Sequence, residues 1–348
     1  MKTIKTEDAV GSALCHDLTR IVRDEVKETI FRKGHVVRAE DVEVLLSMGK
    51  RRLYVLDIGA DLAHENEAAE LLAESCNFKD RFLLSEAKEG RINVSAKEDG
   101  LFLVNVSLLE EVNDEDEIGV AVRQSGVQVK KGEILAGLKI VPLAIARAKL
   151  DRVREVVGSE PLMEVRAYLP LKAAIVATGS EIYHKRIEDA FTPVVEEKLL
   201  EYGVRTVKKT VCDDDTQEIA KAVKESLEIG AEIIICTGGM SVDPDDLTPG
   251  AIKASGAEIV TYGAPALPGA MFLTAYLGEV PVLGLPGCVM FGKKTIFDIV
   301  MPRIAAGLKI TRRQIRRLGH GGLCLSCPVC IFPGCGFGRG WPFSLADL

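Results

Sequence analysis

The chain has 348 residues and a formal net charge of −7 at neutral pH. This acidic balance argues against general nucleic-acid binding, which needs a basic surface. Hydrophobic residues make up 47% and charged residues 27%, the balance of a globular protein with about two or three domains. No apolar run reaches the roughly 18 residues of a membrane span, and the opening MKTIKTEDAV lacks the apolar core of a signal peptide. We therefore expect a cytoplasmic protein that binds neither nucleic acid nor membranes.

The first 165 residues predict two segments that precede the main domain. Residues 1–85 mix strand-like and helical runs, and RKGHVVRAEDVEVLLSMG predicts a turn, a short strand and a helix that stops at Gly49. Residues 86–165 predict a β-rich segment, because INVSAKEDGLFLVNV alternates around a turn, and then a helical linker, RAKLDRVREVVG. We expect these segments to hold a parallel α/β domain in a larger frame.

Residues 166–310 predict that α/β domain. LKAAIVATG and AEIIICTGG are short apolar runs that end in glycine, as buried parallel strands do. Between them, TPVVEEKLLEYG predicts a helix with Thr192 as its N-cap and Pro193 at its first position. VRTVKKTV then predicts a strand, and DTQEIAKAVKESLEIG a second helix. Strands that alternate with helices predict a doubly wound, mainly parallel sheet.

The loop TGGMSVDPDD follows the third strand of this domain. In open α/β sheets, ligands bind beyond the carboxyl ends of the strands. Gly238 and Gly239 would let the backbone approach a phosphate closely, and Thr237 and Ser241 would add hydroxyl donors. The residue types therefore favour a phosphate-binding loop, although a solvated turn with a helix cap explains the same spacing.

Three aspartates complicate the phosphate interpretation, because carboxylates repel phosphate. Asp243, Asp245 and Asp246 follow the two glycines within seven residues of Gly239. A Mg²⁺ ion would remove the conflict, since it binds carboxylate and phosphate oxygens together. Alternatively, a carboxylate orients an attacking hydroxyl or accepts hydrogen bonds from a polar ring. The sequence leaves these alternatives open.

Residues 166–310 contain the stretches ATGSEI, VCDDDTQEI and TGGMSVDPDDLTP. In their order and spacing, these stretches resemble the molybdopterin-binding domain of molybdenum-cofactor biosynthesis proteins. PALPGAMFLTAYLGEVPVLGLPGCVMF is similar to the Pro-Gly and Leu-Pro-Gly segments of molybdopterin molybdenumtransferases. The opening DAVGSALCHDLTR and the Cys-rich tail are similar to a prokaryotic molybdopterin-binding subfamily.

The resemblance implies a pocket for the pterin dithiolene and its terminal phosphate. It implies catalytic roles for Asp246 and Glu181. Asp214 and Asp215 match the family's acidic pair, for which a helix N-cap is an equally good explanation. The implied cofactor-binding residues lie on the loops that follow three strands: Thr178, Gly179, Thr237, Gly238, Gly239, Ser241, Asp245, Pro286 and Gly287.

Departures from the family pattern leave the activity open. Cys288 stands where the metal-inserting enzymes commonly have Asn, Met240 replaces a small residue, and the N-terminal half is only loosely similar to their additional domains. One hypothesis is a transferase that adenylylates molybdopterin or inserts molybdate. The second is a carrier or sensor without turnover, and the third is a nucleotide pyrophosphatase of the competence/damage-inducible type, which has a similar TGG…DDLT loop. The implied partners are a small-molecule pterin, molybdoenzymes or other cofactor-biosynthesis proteins, and further copies in a homo-oligomer.

The tail, residues 311–348, concentrates four of the nine cysteines in the spacing C-x₂-C-x₂-C-x₄-C. They are Cys324, Cys327, Cys330 and Cys335. In a chain without a secretion signal, such clustering favours a metal over disulfides. Four thiolates suit a tetrahedral zinc ion or an iron–sulfur cluster, and the spacing does not choose between them. The alternative is a set of reduced thiols in a mobile tail.

Overall fold

The computed structural model describes residues 2–22, 26–55 and 61–340. The last eight residues of the predicted Cys-rich tail therefore lie outside the described ranges. No helix in these ranges is long and apolar enough to cross a membrane.

By compactness, the described residues divide into two units that each draw on separate stretches of the chain. The first unit comprises Met1–Lys97, Asn105–Arg123 and Lys131–Glu164. The second comprises Glu98–Val104, Gln124–Lys130 and Val165–Leu348. The sequence predicts four segments with boundaries at residues 85, 165 and 310. That division stays a prediction.

Up to residue 167 the chain is built mainly from short strands. The strands are β1 (Lys2–Lys5), β2 (Leu18–Val22), β3 (Val26–Phe31), β4 (Arg52–Val55), β5 (Leu62–His64), β6 (Leu83–Leu84), β7 (Arg91–Ser95), β8 (Gly100–Val104), β9 (Ile118–Val122), β10 (Val127–Val129), β11 (Ile134–Ile140), β12 (Ala144–Ala146) and β13 (Met163–Ala167). The helices are α1 (Ala39–Ser47), α2 (Glu65–Ser75), α3 (Val106–Asn113) and α4 (Arg147–Val157), with a 3₁₀ turn at Thr6–Asp8.

The first unit holds small antiparallel sheets with helices against them. β6, β7, β11 and β9 form a four-stranded sheet in that order, and α2 packs on it. The predicted helix near residue 40 is confirmed as α1, and Gly49 follows its end with a φ of +75°. The short strand predicted before α1 is reduced to a single bridge between Ala13 and Val36.

From residue 172 onward, longer strands alternate with helices. The strands are β14 (Lys172–Thr178), β15 (Arg205–Cys212), β16 (Ile233–Thr237), β17 (Glu258–Tyr262), β18 (Leu273–Leu277) and β19 (Val280–Leu285). The helices are α5 (Ser180–Tyr183), α6 (Phe191–Leu200), α7 (Thr216–Glu228), α8 (Thr248–Ala254), α9 (Cys288–Phe291), α10 (Ile296–Ala305) and α11 (Arg312–Arg317).

The second unit is organised around a six-stranded sheet in the order β15-β14-β16-β19-β18-β17. The first four strands of that order are parallel, and β18 and β17 add an antiparallel edge. The predicted doubly wound, mainly parallel α/β sheet is therefore confirmed. From β14 the chain moves to β15 on one side and returns to β16 on the other, so a topological switch lies between β14 and β16.

Alternate residues of the central strands supply two separate cores. Ile175 and Ile235 lie in the core that includes α6 and α10, whereas Val176 and Cys236 lie in the core that includes α7 and α8. Because helices cover both faces, these strands are apolar at nearly every position. This is why they read as unbroken apolar runs in the sequence.

The N-cap predicted for α6 is wrong. The helix begins at Phe191 and Thr192 is its second residue, with Ala190 at the N-cap. The carboxylate of Asp189 satisfies the helix start instead, because it accepts hydrogen bonds from the N–H groups of Phe191 at 2.9 Å and Thr192 at 3.0 Å. Pro193 follows in the first turn, where a missing N–H costs nothing.

Candidate functional site

Four loops at the carboxyl end of the parallel strands contain the predicted binding and catalytic residues. They follow β14, β15, β16 and β19 and lead into α5, α7, α8 and α9. Because the four strands are parallel, their carboxyl ends lie at one edge of the sheet. The loops after β14 and β16 flank the topological switch, where α/β sheets of this kind bind ligands.

Gly238 and Gly239 are required by the packing of the protein itself. Their φ angles are +84° and +54°. A Cβ on Gly238 would lie 2.1 Å from the carbonyl oxygen of Thr178, and one on Gly239 would lie 2.8 Å from Oγ1 of Thr248. Both positions therefore exclude a side chain whether or not a ligand binds.

Buried threonines join the ends of the loops after β14 and β16. The hydroxyl of Thr178 lies 3.2 Å from the carbonyl oxygen of Thr237 and 3.1 Å from the hydroxyl of Thr248. Thr248 in turn donates its hydroxyl to the carbonyl of Gly238 at 2.8 Å. The predicted ligand residue Thr178 thus uses its hydroxyl inside the protein. Thr248 was missed from the sequence, although it belongs to the DDLTP motif.

The acidic part of the loop after β16 forms a closed turn. The carboxylate of Asp246 accepts the N–H of Asp243 at 2.9 Å, and the N–H of Asp246 donates to the carbonyl of Asp243 at 3.0 Å. Asp243 and Asp245 are exposed and Asp246 is half-buried. Throughout the described ranges, no group of three or more His, Cys, Asp or Glu side chains is arranged to hold a metal ion. A magnesium ion here would therefore need further ligand oxygens from a bound phosphate or from water.

Tyr262 and Met240 hold the beginning of the same loop, and neither was predicted as part of the site. The hydroxyl of Tyr262 lies 3.3 Å from the carbonyl oxygen of Met240 and 3.2 Å from that of Ser241, positioned to donate. Burial raises the pKa of Tyr262, and the charge of Asp246 raises it further, so the phenol stays a donor. Met240 is buried against Gly284 of β19, which makes this departure from the family pattern a packing residue.

The acidic pair after β15 divides between two tasks. Asp215 is the N-cap of α7, because its carboxylate accepts hydrogen bonds from Gln217 at 2.8 Å and Glu218 at 2.9 Å. Asp214 accepts the backbone N–H of Ser180 at 2.8 Å and so ties this loop to the one after β14. The N-cap explanation holds for Asp215 and not for Asp214.

Titratable side chains also lie on and around α5. The predicted catalytic residue Glu181 is exposed, with its carboxylate beside Gly179. His184 Nε2 lies 3.3 Å from Asp213 Oδ2, a pair that sequence reasoning missed because its members are 29 residues apart on different loops. Asp213 has a lowered pKa because it accepts the backbone N–H of Asp214, and the neighbouring Ser180 and His184 lower it further. The assignment of Glu181 and Asp246 as catalytic stays a prediction.

The glycine of the loop after β19, Gly287, differs from Gly238 and Gly239, because the packing of the protein does not require a glycine there. Pro286 is buried, whereas Gly287 is exposed with a φ of −54° and no atom within 4 Å of where a Cβ would stand. Cys288 follows as the first residue of α9, half-buried, and burial raises the pKa of its thiol. A side chain at position 287 would therefore meet no atom of the protein.

The four tail cysteines are all free thiols. Cys324 and Cys335 are half-buried against the core that includes α6 and α10, and Cys327 and Cys330 are exposed. Their predicted role as metal ligands stays a prediction.

Comparison with known families matches two parts of the chain. Residues 174–306 match the family described as "Probable molybdopterin binding domain". This segment contains β15 to β19 with all four loops of the candidate site. Residues 3–57 match a family described as a domain of unknown function.

Curated relatives match a shorter part of the chain. The CinA-like protein of Mycobacterium avium (strain 104) is 34% identical over 77 residues, which are 22% of this chain and 18% of the relative. The CinA-like protein of Mycobacterium leprae (strain TN) is 35% identical over 77 residues, which are again 22% of this chain and 18% of the relative. The chain thus spans less than a fifth of the length of these relatives.

Solved structures give distant likenesses. The protein CinA from Thermoplasma acidophilum, whose function is unknown, is 19% identical with a TM-score of 0.30, covering 33% of this chain and 88% of its own. The molybdopterin biosynthesis enzyme MoaB from Thermus thermophilus is 16% identical with a TM-score of 0.33, and the match covers 39% of this chain and 97% of the MoaB chain. The tungsten cofactor synthesizing protein MoaB from Pyrococcus furiosus is 23% identical with a TM-score of 0.31, and the match covers 35% of this chain and 86% of that MoaB chain.

The family match falls on the segment whose motifs resemble the molybdopterin-binding domain in the sequence, and it confirms that resemblance. Residues 174–306 of this chain are therefore a domain of the probable molybdopterin-binding family.

Proposed function

We propose that the second unit binds a phosphorylated pterin of the molybdopterin type at the carboxyl edge of its parallel sheet. One observation carries the proposal: the family match at residues 174–306 falls on the loops that flank the topological switch. The pterin would lie between the loops after β14, β16 and β19.

The loop after β16 offers donors for the phosphate. Among the described residues, the backbone N–H groups of Gly239, Met240 and Ser241 have no acceptor. Unpaired N–H groups in a tight turn form a ready anion site. The bonds of Thr248 and Tyr262 fix this turn before any ligand arrives, so little ordering would be needed on binding.

The exposed carboxylates suit a cation that accompanies the phosphate. Asp245 and Glu181 are exposed, and the second carboxylate oxygen of Asp246 is left over from the turn. Mg²⁺ commonly combines one or two carboxylates with phosphate oxygens and water. We assign these three residues to holding Mg²⁺ or orienting the reacting group.

Gly287 provides the sharpest test of the pocket, because Gly238 and Gly239 cannot change without damage to the fold. Gly287→Val would fill the open space at the loop after β19. Gly119→Val in β9 is the matched control, since the nearest atom to its Cβ would be 3.8 Å away. We expect anaerobic titration with molybdopterin to give at least about tenfold weaker binding in Gly287→Val and wild-type binding in the control. Equal affinity in all three proteins would refute the pocket.

Turnover assays separate the three activities that the family leaves open. ATP consumption that requires molybdopterin would identify a transferase, and Asp246→Asn should then lose at least about 10²-fold in rate. Pterin retention without turnover would identify a carrier that delivers to molybdoenzymes or other cofactor-biosynthesis proteins. Cleavage of ADP-ribose or FAD would favour the pyrophosphatase alternative. We include this assay because the curated relatives are CinA-like proteins.

Light scattering tests the expected homo-oligomer.

A further inference from the structure

The four tail cysteines line one cavity of about 600 Å³, here called the thiol cavity. Its other walls come from the connection between α9 and α10 and from apolar tail residues. The residues that matter below are Cys324, Cys327, Cys330, Cys335, Lys293 and Lys294.

On one side of this cavity, hydrogen bonds and packing fix the tail to the rest of the second unit. The N–H of Cys324 donates to the carbonyl of Leu267 at 2.8 Å, and the N–H of Leu267 donates to the carbonyl of Gly322 at 2.7 Å. Phe337 is buried in the core that includes α6 and α10, and Cys324 and Cys335 pack against that core. Two of the thiols therefore stand on an anchored wall, and Cys327 and Cys330 stand on the exposed side.

The four thiols do not form a ready site for a single metal ion. Four sulfur atoms at 2.3 Å from one zinc ion lie about 3.8 Å from each other. Within the described part of the chain, no three His, Cys, Asp or Glu side chains are grouped in a way that could hold one ion. In a four-iron cluster each thiolate binds a different iron, so the thiols stand further apart and enclose a volume. A cavity that all four cysteines line fits the second arrangement.

The charges around the cavity fit an anion. Four thiolates around a [4Fe–4S]²⁺ core carry a net charge of about −2. Lys294 Nζ is already within 3.0 Å of Asp298 and 3.3 Å of Glu201. Lys293 Nζ donates to the carbonyl of Pro328 at 3.3 Å and has no carboxylate partner among the described residues. Lys293 thus offers a cation that the protein itself does not neutralise.

We propose that Cys324, Cys327, Cys330 and Cys335 bind a [4Fe–4S] cluster in the thiol cavity. The site goes beyond pterin binding and does not depend on it. When a preformed cluster with four small thiolate ligands is transferred, each cysteine sulfur bonds to one iron and gives its proton to the thiolate that leaves. Four iron–sulfur bonds form, four break, and no electron moves.

The test uses the full chain, purified without oxygen, treated with a chelator and then mixed with a preformed [4Fe–4S] cluster carrying 2-mercaptoethanol ligands. After desalting, we expect about four iron and four sulfide per chain, a visible charge-transfer band and a paramagnetic signal after dithionite reduction. About one zinc per chain without iron, about two iron with two sulfide, or no metal at all would each overturn the proposal. This stoichiometry is measured on the unaltered chain, so it does not depend on how any variant folds.

Variants then test the ligands. Each of the four Cys→Ser changes in the tail should remove most of the bound iron, whereas Cys212→Ser, which removes a thiol outside the cavity lining, should leave it unchanged. Lys293→Met should keep the cluster but lower its reduction potential, because a positive charge near the cluster stabilises the reduced state. Full iron retention in any two of the tail variants would overturn the ligand assignment.

Discussion

At the scale of single residues, the two glycines after β16 show a constraint that comes from the protein rather than from a ligand. We expect Gly238→Ala to lower the free energy of unfolding by about 2–4 kcal/mol, because the added carbon meets the carbonyl of Thr178 and the backbone is left-handed. Gly250→Ala in α8 is the matched control, since nothing lies within 4 Å of its Cβ. It should stabilise by up to about 1 kcal/mol. Urea unfolding measures both, and equal stabilities would contradict the packing described for Gly238.

Also at the residue scale, Cys288 reports on the neighbouring loop. Burial raises the pKa of its thiol, and the thiolate is the form that reacts with iodoacetamide. Alkylation of Cys288 should therefore be slow at neutral pH and should accelerate only as the pH rises past the ordinary thiol range. Bound pterin should slow it further by covering Gly287. Mass spectrometry of the alkylated peptide measures this rate, and fast labelling at pH 7 that pterin leaves unchanged would argue against both statements.

At the scale of elements, the acidic pair after β15 allows a helix cap to be separated from a loop contact. Asp215→Ala should cost about 1 kcal/mol of stability, because α7 loses its cap, while Asp215→Asn should restore most of it. Asp214→Ala instead releases the N–H of Ser180 in the loop after β14, so its larger effect should be on pterin affinity. Unfolding and titration curves for the three variants test this. A loss of affinity in Asp215→Ala that matches that of Asp214→Ala would refute the division of tasks.

The elements also show what the sequence can and cannot predict. β14 and β16 were predictable because helices cover both faces and leave only apolar residues. The start of α6 was mispredicted because Thr192 and Pro193 give a strong start signal, while Asp189 gives an equal one three residues earlier. The bonds from Thr248 to Thr178 and from Tyr262 to Met240 were not predictable. They join loops that only the strand order brings together.

At the scale of the whole molecule, the tail is expected to contribute to the stability of the second unit. Phe337 is 4% exposed and belongs to the large core of that unit. Phe337→Ala should therefore cost about 3–5 kcal/mol. Leu325→Ala is the control in the same tail, because Leu325 is 78% exposed and should change stability by less than about 0.5 kcal/mol. Similar melting temperatures for the two variants would mean that the tail is not docked.

The central claim, that the parallel-sheet domain binds a phosphorylated pterin at its switch point, is tested most directly by native mass spectrometry. The chain is produced in a host that makes molybdopterin and is purified without oxygen, alongside Gly287→Val and Gly119→Val. We predict one added mass per chain that corresponds to a phosphorylated pterin, present in the wild type and in Gly119→Val and absent from Gly287→Val. A chain without added mass, an added mass that corresponds to a nucleotide, or the same pterin mass in Gly287→Val would contradict the claim.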